Sequence, residues 1–183
     1  MRRGRCGRGA AGTAVRMTMG MLAAAVLSVG CATAAPPPAA QPANGVPAVR
    51  AARDARSADP CALPTAAQLT ALGITGAGTP VSAPEGPRCE WHGRPELGIT
   101  LYTNGGGIAT LARNSDPTTS RVRLAGYPAL ETFTGTGEFC QYDVGVAATQ
   151  VVSASLDGGT PDSCTALQAV LPGVVANLPA LDR

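Results

Sequence analysis

Between residues 88 and 156 apolar and polar positions change places every one or two residues, in short runs broken by glycine, proline and aspartate. That period is the mark of half-buried strands. Arg88-Cys89-Glu90-Trp91-His92 reads as one strand. Leu97 to Thr103 reads as a second, with Ile99 and Leu101 on one face and Thr100 and Tyr102 on the other. Gly93 to Glu96 would join them as a hairpin. Arg121 to Leu124, Ala129 to Thr134, Phe139 to Val146 and Gln150 to Leu156 extend the series, with a bend at Gly126-Tyr127-Pro128. Gly76 to Pro87 is rich in glycine and proline and reads as loop. At both ends the period changes. Thr65-Ala66-Ala67-Gln68 is a capping-box pattern, which predicts a helix from Ala66 to Leu72 stopped by Gly73. Leu167, Val170, Leu171, Val174, Val175 and Leu178 form one apolar stripe at helical spacing, with a kink expected at Pro172. Ile108 to Arg113 is a shorter helical candidate. The expected fold is α+β: a mostly antiparallel sheet of about five short strands, with an N-terminal and a C-terminal helix packed on one face.

Residues 1–30 follow a different pattern. Arg2, Arg3, Arg5, Arg8 and Arg16 precede an apolar run from Met17 to Val29. A basic segment ahead of a short apolar run is a secretory signal peptide, and the run is short for a membrane span. Arg2-Arg3 lacks the apolar residues of a twin-arginine signal, so the general secretory route is expected. Leu27-Ser28-Val29-Gly30-Cys31 then resembles a lipobox, with Cys31 as the lipidation site and its acyl chains as the anchor. The competing site is Ala32-Thr33-Ala34, which would release a soluble protein. Residues 31–57 form a lipidated Pro/Ala-rich tether without aromatics, too poor in large apolar side chains to bury a core. Residues 58–183 form a single exported domain.

Composition sharpens this picture. The hydrophobic fraction is 45%, but aromatics make up only 3%. A core of small pieces buries little area per residue, and covalent staples become useful. The formal charge of +2 misleads, because five of the fourteen arginines lie in the leader. The nine that remain face twelve acids, a net of −3. Nucleic acid is therefore not an expected partner.

Of six cysteines, Cys6 leaves with the leader and Cys31 carries lipid. Cys61, Cys89, Cys140 and Cys164 remain, an even number in an exported chain, which implies disulfides with three possible connectivities. The expected pairs are Cys61 with Cys164 and Cys89 with Cys140. Cys61 follows Asp59-Pro60 and precedes the first helix, while Cys164 follows Pro161-Asp162-Ser163 and begins the last; Cys89 and Cys140 both lie in strands. No close Cys-x-x-Cys pair supports a metal site, and none is expected.

Catalytic signals are faint. His92 is the only histidine and shares a strand face with Glu90, opposite Trp91. A Ser-His-acid hydrolase would need a nearby serine and an orienting carboxylate such as Glu90 or Asp143, but no Gly-x-Ser-x-Gly elbow exists. Glu90, Glu131, Glu138 and Asp143 could supply a carboxylate pair for glycan hydrolysis, though nothing in the spacing brings two together. Asn104-Gly105-Gly106-Gly107 lacks every companion of a phosphate loop and reads as a flexible turn. No catalytic residue and no cofactor is expected.

Taken together, the lipobox, the Pro-rich tether, Asp59-Pro60-Cys61, Cys89-Glu90-Trp91, Gly126-Tyr127-Pro128-Ala129, Cys140 and Cys164 resemble a family of small actinobacterial exported lipoproteins. Its domain is of unknown function, the 3558 family of such domains. The resemblance implies an envelope location and two disulfides, and carries no catalytic residues. The double-bridged layout is also similar to extracellular sensor domains of mycobacterial receptor kinases. The expected function is a non-catalytic lipoprotein on the outer face of the cytoplasmic membrane that binds an envelope protein, a lipid or a glycolipid. An envelope hydrolase and an assembly factor without a small ligand are the alternatives.

Overall fold

The computed structural model describes residue 49 and residues 51–134, 138–158 and 162–181. The leader, Cys31 and most of the tether lie outside the described residues. Among the described residues, three helices and seven strands follow one another as α1 (Ala66–Ala71), β1 (Thr79–Ala83), β2 (Gly86–Trp91), β3 (Glu96–Tyr102), α2 (Gly107–Asn114), β4 (Ser120–Leu124), β5 (Tyr127–Phe133), β6 (Cys140–Gly145), β7 (Val151–Asp157) and α3 (Ser163–Ala176). The strands form one sheet in the order β1-β2-β3-β7-β6-β5-β4. Every neighbouring pair is antiparallel.

This corrects the expectation of about five strands with helices on one face only. The sheet has seven strands, and a third helix lies on the opposite face. β1 runs where a loop was expected. Its residues are mostly exposed and it contains Pro80, so it shows no apolar alternation. Proline is tolerated there because β1 is an edge strand. The chain leaves β3 in the middle of the sheet and must reach β4 at its far edge, four strand spacings or about 19 Å away. α2 makes that crossing. Its Ile108 and Ala112 pack on Leu130 and Val151, residues that face away from the α1 and α3 side.

The main core lies between the sheet and α1 with α3. Trp91, Leu97, Ile99, Leu101, Tyr142, Val144, Val152 and Leu156 point from the strands to Leu167, Leu171, Val174 and Val175 of α3. α1 is built as its sequence foretells: the Thr65 hydroxyl accepts the Gln68 N–H, and the Gln68 side chain accepts the Thr65 N–H. Its end is a Schellman turn, in which the Ile74 N–H donates to the Leu69 carbonyl and the Gly73 N–H to the Thr70 carbonyl. Gly73 takes φ 73°, which a Cβ would resist. α3 continues through Pro172. The carbonyl that the proline leaves without a donor belongs to exposed Gln168, where water can bind it.

The disulfides join Cys61 to Cys89 and Cys140 to Cys164. The expected pairs are therefore wrong, although the four cysteines and the two bridges stand. Cys89 in β2 and Cys140 in β6 share a face, but β3 and β7 lie between their strands. Three strand spacings, about 14 Å, exceed the Cα separation a disulfide allows. Each strand cysteine instead bonds upward, to the chain that precedes α1 or to the first turn of α3. The bridges close 28 and 24 residues, worth about 3.5 kcal/mol each in the chain-entropy account.

Residues 51–57, assigned to the tether from composition, belong to the domain. The Arg53 N–H donates to the Val146 carbonyl, and the Asp54 N–H to the Pro179 carbonyl. Ala55 is fully buried, and its N–H donates to the buried Gln150 Oε1 at 2.6 Å. No helix among the described residues is long and apolar enough to cross a membrane.

Candidate functional site

The face of the sheet that carries α2 is only partly covered by it, and its remainder is polar. Alternation decides this. On β3, Ile99 and Leu101 enter the core, so Gly98, Thr100 and Tyr102 point the other way. On β7, Val152, Ala154 and Leu156 enter the core, so Ser153 and Ser155 do the same. Register then lines these positions up across the strands. Arg88 lies opposite Thr100, Thr100 opposite Ser153, and Ser153 opposite Asp143. The next row runs Glu90, Gly98, Ser155, Gln141 and Thr132.

Asp143 is the most consequential member. It is 8% exposed. Burial pushes its carboxyl above the usual range, while hydrogen bonds from Ser153 and Gln141 oppose the rise. Gln141 Nε2 donates to both oxygens, at 3.0 and 3.2 Å. No cation pairs with Asp143 among the described residues. Thr100 and Ser153, each 7% exposed, complete the buried polar row. Tyr102 stands beside it, half-buried at the foot of α2. Burial, then the charges of Asp143 and Glu85, hold its phenol in the protonated form.

Arg88 closes the other end. Its Nε lies 2.7 Å from Glu90 Oε1, yet off the line a hydrogen bond needs, so the contact is ionic and the Nε proton has no acceptor. The guanidinium lies across Gly98 toward Ser155. A Cβ at residue 98 would come within 2.9 Å of both Arg88 Nη2 and the Ser155 hydroxyl. Gly98 thus leaves the floor on which the arginine rests.

A family profile described as "Protein of unknown function (DUF3558)" matches residues 6–177. The chain belongs to this family. No curated protein and no solved structure matches it. The polar face is thus the candidate site of a DUF3558 domain, built from its own residues and not carried over from a relative.

The other residues singled out in the sequence fall elsewhere on this DUF3558 domain. His92 is well exposed at the end of β2, with Nε2 3.7 Å from Glu90 Oε2, and Trp91 is buried in the core as its alternation required. Glu131 points to the α3 side and accepts the Tyr142 hydroxyl at 2.8 Å. Burial, and then that bond, raises the Tyr142 phenol far above its ordinary range. Glu131 and Asp143 are therefore separated by the sheet. Glu90 and Asp143 share a face, but their strands stand three spacings apart, about 14 Å, beyond the span of a glycosidase pair. No cluster of three metal-ligating side chains occurs among the described residues. The polar row itself was missed as a site. Its signal was present: Thr100 and Tyr102 opposite Ile99 and Leu101, and Ser153 and Ser155 between Val152, Ala154 and Leu156.

Proposed function

We propose that this DUF3558 protein is an actinobacterial cell-envelope lipoprotein, held by lipid on Cys31 at the outer face of the cytoplasmic membrane, that binds a ligand or protein partner without catalysing a reaction. The observation that carries the reading is the buried Asp143, which no cation pairs among the described residues, in a row of hydrogen-bonding side chains on a sheet face that α2 covers only in part. A buried carboxylate costs stability unless something repays it, and such groups collect at sites of function. The row offers acceptors at Asp143 and Glu90 and donors at Arg88, Thr100 and Ser155, a set that suits a polar, multiply hydrogen-bonded group. The described residues between the sheet and α3 form a buried apolar core, which favours the α2 side for a polar ligand.

Intact mass spectrometry on protein extracted gently from host membranes tests this. The expected result is a mass beginning at Cys31 with acyl chains, and a further bound species in the native spectrum that is lost from Asp143→Asn and Arg88→Gln proteins. An unlipidated mass beginning near Ala35 would remove the anchored reading. Turnover of a cell-wall substrate that is abolished by His92→Ala would replace binding with hydrolysis.

A further inference from the structure

The two edges of the sheet are not alike. An edge strand offers unpaired peptide groups to any passing strand, and proteins blunt such edges or use them. β1 is joined to β2 by a two-residue turn, with Ala83 opposite Gly86. In such a hairpin the pair next to the turn exchanges both hydrogen bonds, and the pairs then alternate. Pro80 and Ser82 are thereby left pointing outward. Pro80 has no N–H to offer, so this edge is blunted.

β4 is built the same way but without that protection. Leu124 lies opposite Tyr127 across another two-residue turn, and Val122 opposite Ala129. The outward residues are Arg121 and Arg123. Pro128, opposite Arg123, has no N–H and agrees with that assignment. Arg121 and Arg123 are exposed, and β4 is the last strand of the sheet. Their side chains share a face as well. The Arg121 guanidinium donates to the Ala112 carbonyl at 3.3 Å, and Arg123 donates to the Gly126 carbonyl. Neither has a carboxylate within ion-pair reach among the described residues. At the turn end, Arg123, Ala125, Gly126, Tyr127 and Ala51 line a depression of about 300 Å³.

We propose that the β4 edge binds an extended acidic segment of a partner protein by strand addition, with its backbone on Arg121 and Arg123, its carboxylates against the two guanidiniums and one side chain in the depression. Charge selects this occupant over the others. A second copy pairing β4 to β4 would set arginines against arginines, which costs free energy. Residues 1–50 contain no acidic residue, so that stretch offers no complement. Strand addition draws affinity from main-chain bonds and specificity from alternate side chains, which suits a strand whose alternate residues are both cationic. This proposal is independent of the polar face around Asp143.

The test uses the full chain and a labelled peptide of about ten residues alternating glutamate with valine, the length of a strand-addition ligand. Binding is read by fluorescence anisotropy at low salt. Three variants are compared: the charge reversal Arg121→Glu with Arg123→Glu, the edge block Arg121→Pro, and Ser82→Pro on the far edge as a control. Arg121→Pro removes an outward N–H and, with it, the guanidinium that donates to the Ala112 carbonyl, but no hydrogen bond between β4 and β5, and melting curves verify that the sheet is kept. The expected result is saturable binding that each β4 variant weakens at least about tenfold, the scale of one lost charge-assisted contact, and that Ser82→Pro leaves unchanged. Peptide should also slow hydrogen exchange at the Arg121 and Arg123 amides. Absence of binding up to about 1 mM peptide overturns the proposal, since that affinity is too weak for a docking edge. So does equal binding of a peptide with lysine for glutamate, or exchange protection on β1 instead of β4. Sedimentation showing a dimer that Arg121→Pro dissolves would also overturn it, by making a second copy the occupant.

Discussion

Asp143 is costly to the fold at neutral pH, and the sign of that cost can be measured. Its folded carboxyl titrates above its unfolded value because burial disfavours the charge. The folded state therefore holds its proton more tightly than the unfolded state. The favourable contribution is full below the unfolded value, 3.8, and is lost as pH rises through the raised folded value. Asp143→Asn should melt at a higher temperature than the parent at pH 7, and the gap should close as pH falls toward 4. A variant less stable at pH 7 would mean that the carboxylate is held by charge and not merely tolerated. The same substitution should abolish ligand binding, the usual exchange of stability for function. A second residue carries backbone strain. Ala125 sits at φ 49° in the β4–β5 turn, beside Gly126 at φ 86°. Both central positions of a type I′ turn need positive φ, and asparagine adopts it more readily than alanine. Ala125→Asn should gain about 0.5–1 kcal/mol, measured by urea unfolding. Sequence placed this bend at Gly126-Tyr127-Pro128 but could not show which residue bears the strain, because alanine carries no turn signal of its own.

At the scale of elements, most helices and strands were legible because local chemistry and burial agree. The capping box at Thr65 and the glycine stop at Gly73 specify α1 without help from the rest of the chain. β3 and β7 announce their faces by alternation. β1 was illegible because an exposed edge needs no apolar pattern, and its proline argues against a strand until the edge position is known. α2 was visible as a helical run, but its face was not, since sequence alone does not give the strand order that forces it across the sheet. Its docking depends on a missing side chain. A Cβ at Gly145 would lie 2.6 Å from Ile108 Cγ2 and 2.8 Å from Ile108 Cβ. Overpacking of this kind costs about 1–3 kcal/mol. Gly145→Ala should lower stability by that amount and speed hydrogen exchange in 107–114 while leaving α1 and α3 protected. Uniform loss of protection would show that α2 is integral to the core and not a crossing laid on the far face.

For the whole molecule, the organising fact is that both disulfides and the N-terminal arm tie chain outside the strands to a sheet whose core is aliphatic with few aromatic side chains. The bridges do this locally, each from a strand to the chain segment above it, and the pairing could not be read from sequence because it depends on which strands separate β2 from β6. The arm does it across the chain, from Arg53 to Val146 and from Asp54 to Pro179. Composition assigned 51–57 to the tether, since alanine and arginine give no burial signal. Gln150 shows what the arm is worth. It is 1% exposed, and its Oε1 accepts the Ala55 N–H. A chain beginning at residue 58 keeps both disulfides but leaves that buried amide without its partner, at a cost of about 1–3 kcal/mol. It also exposes the floor beneath Ala55 and frees the Pro179 carbonyl. Thermal unfolding of the 58–183 chain should therefore begin several degrees below that of a chain beginning at 49, about 4 °C or more for a domain of this size. Gln150→Met in the shorter chain should recover part of the loss, because it removes the orphaned polar group, while the same substitution in the longer chain should destabilise. If both chains melt together, the arm is laid on the domain without holding it, and the boundary read from composition is the thermodynamic one.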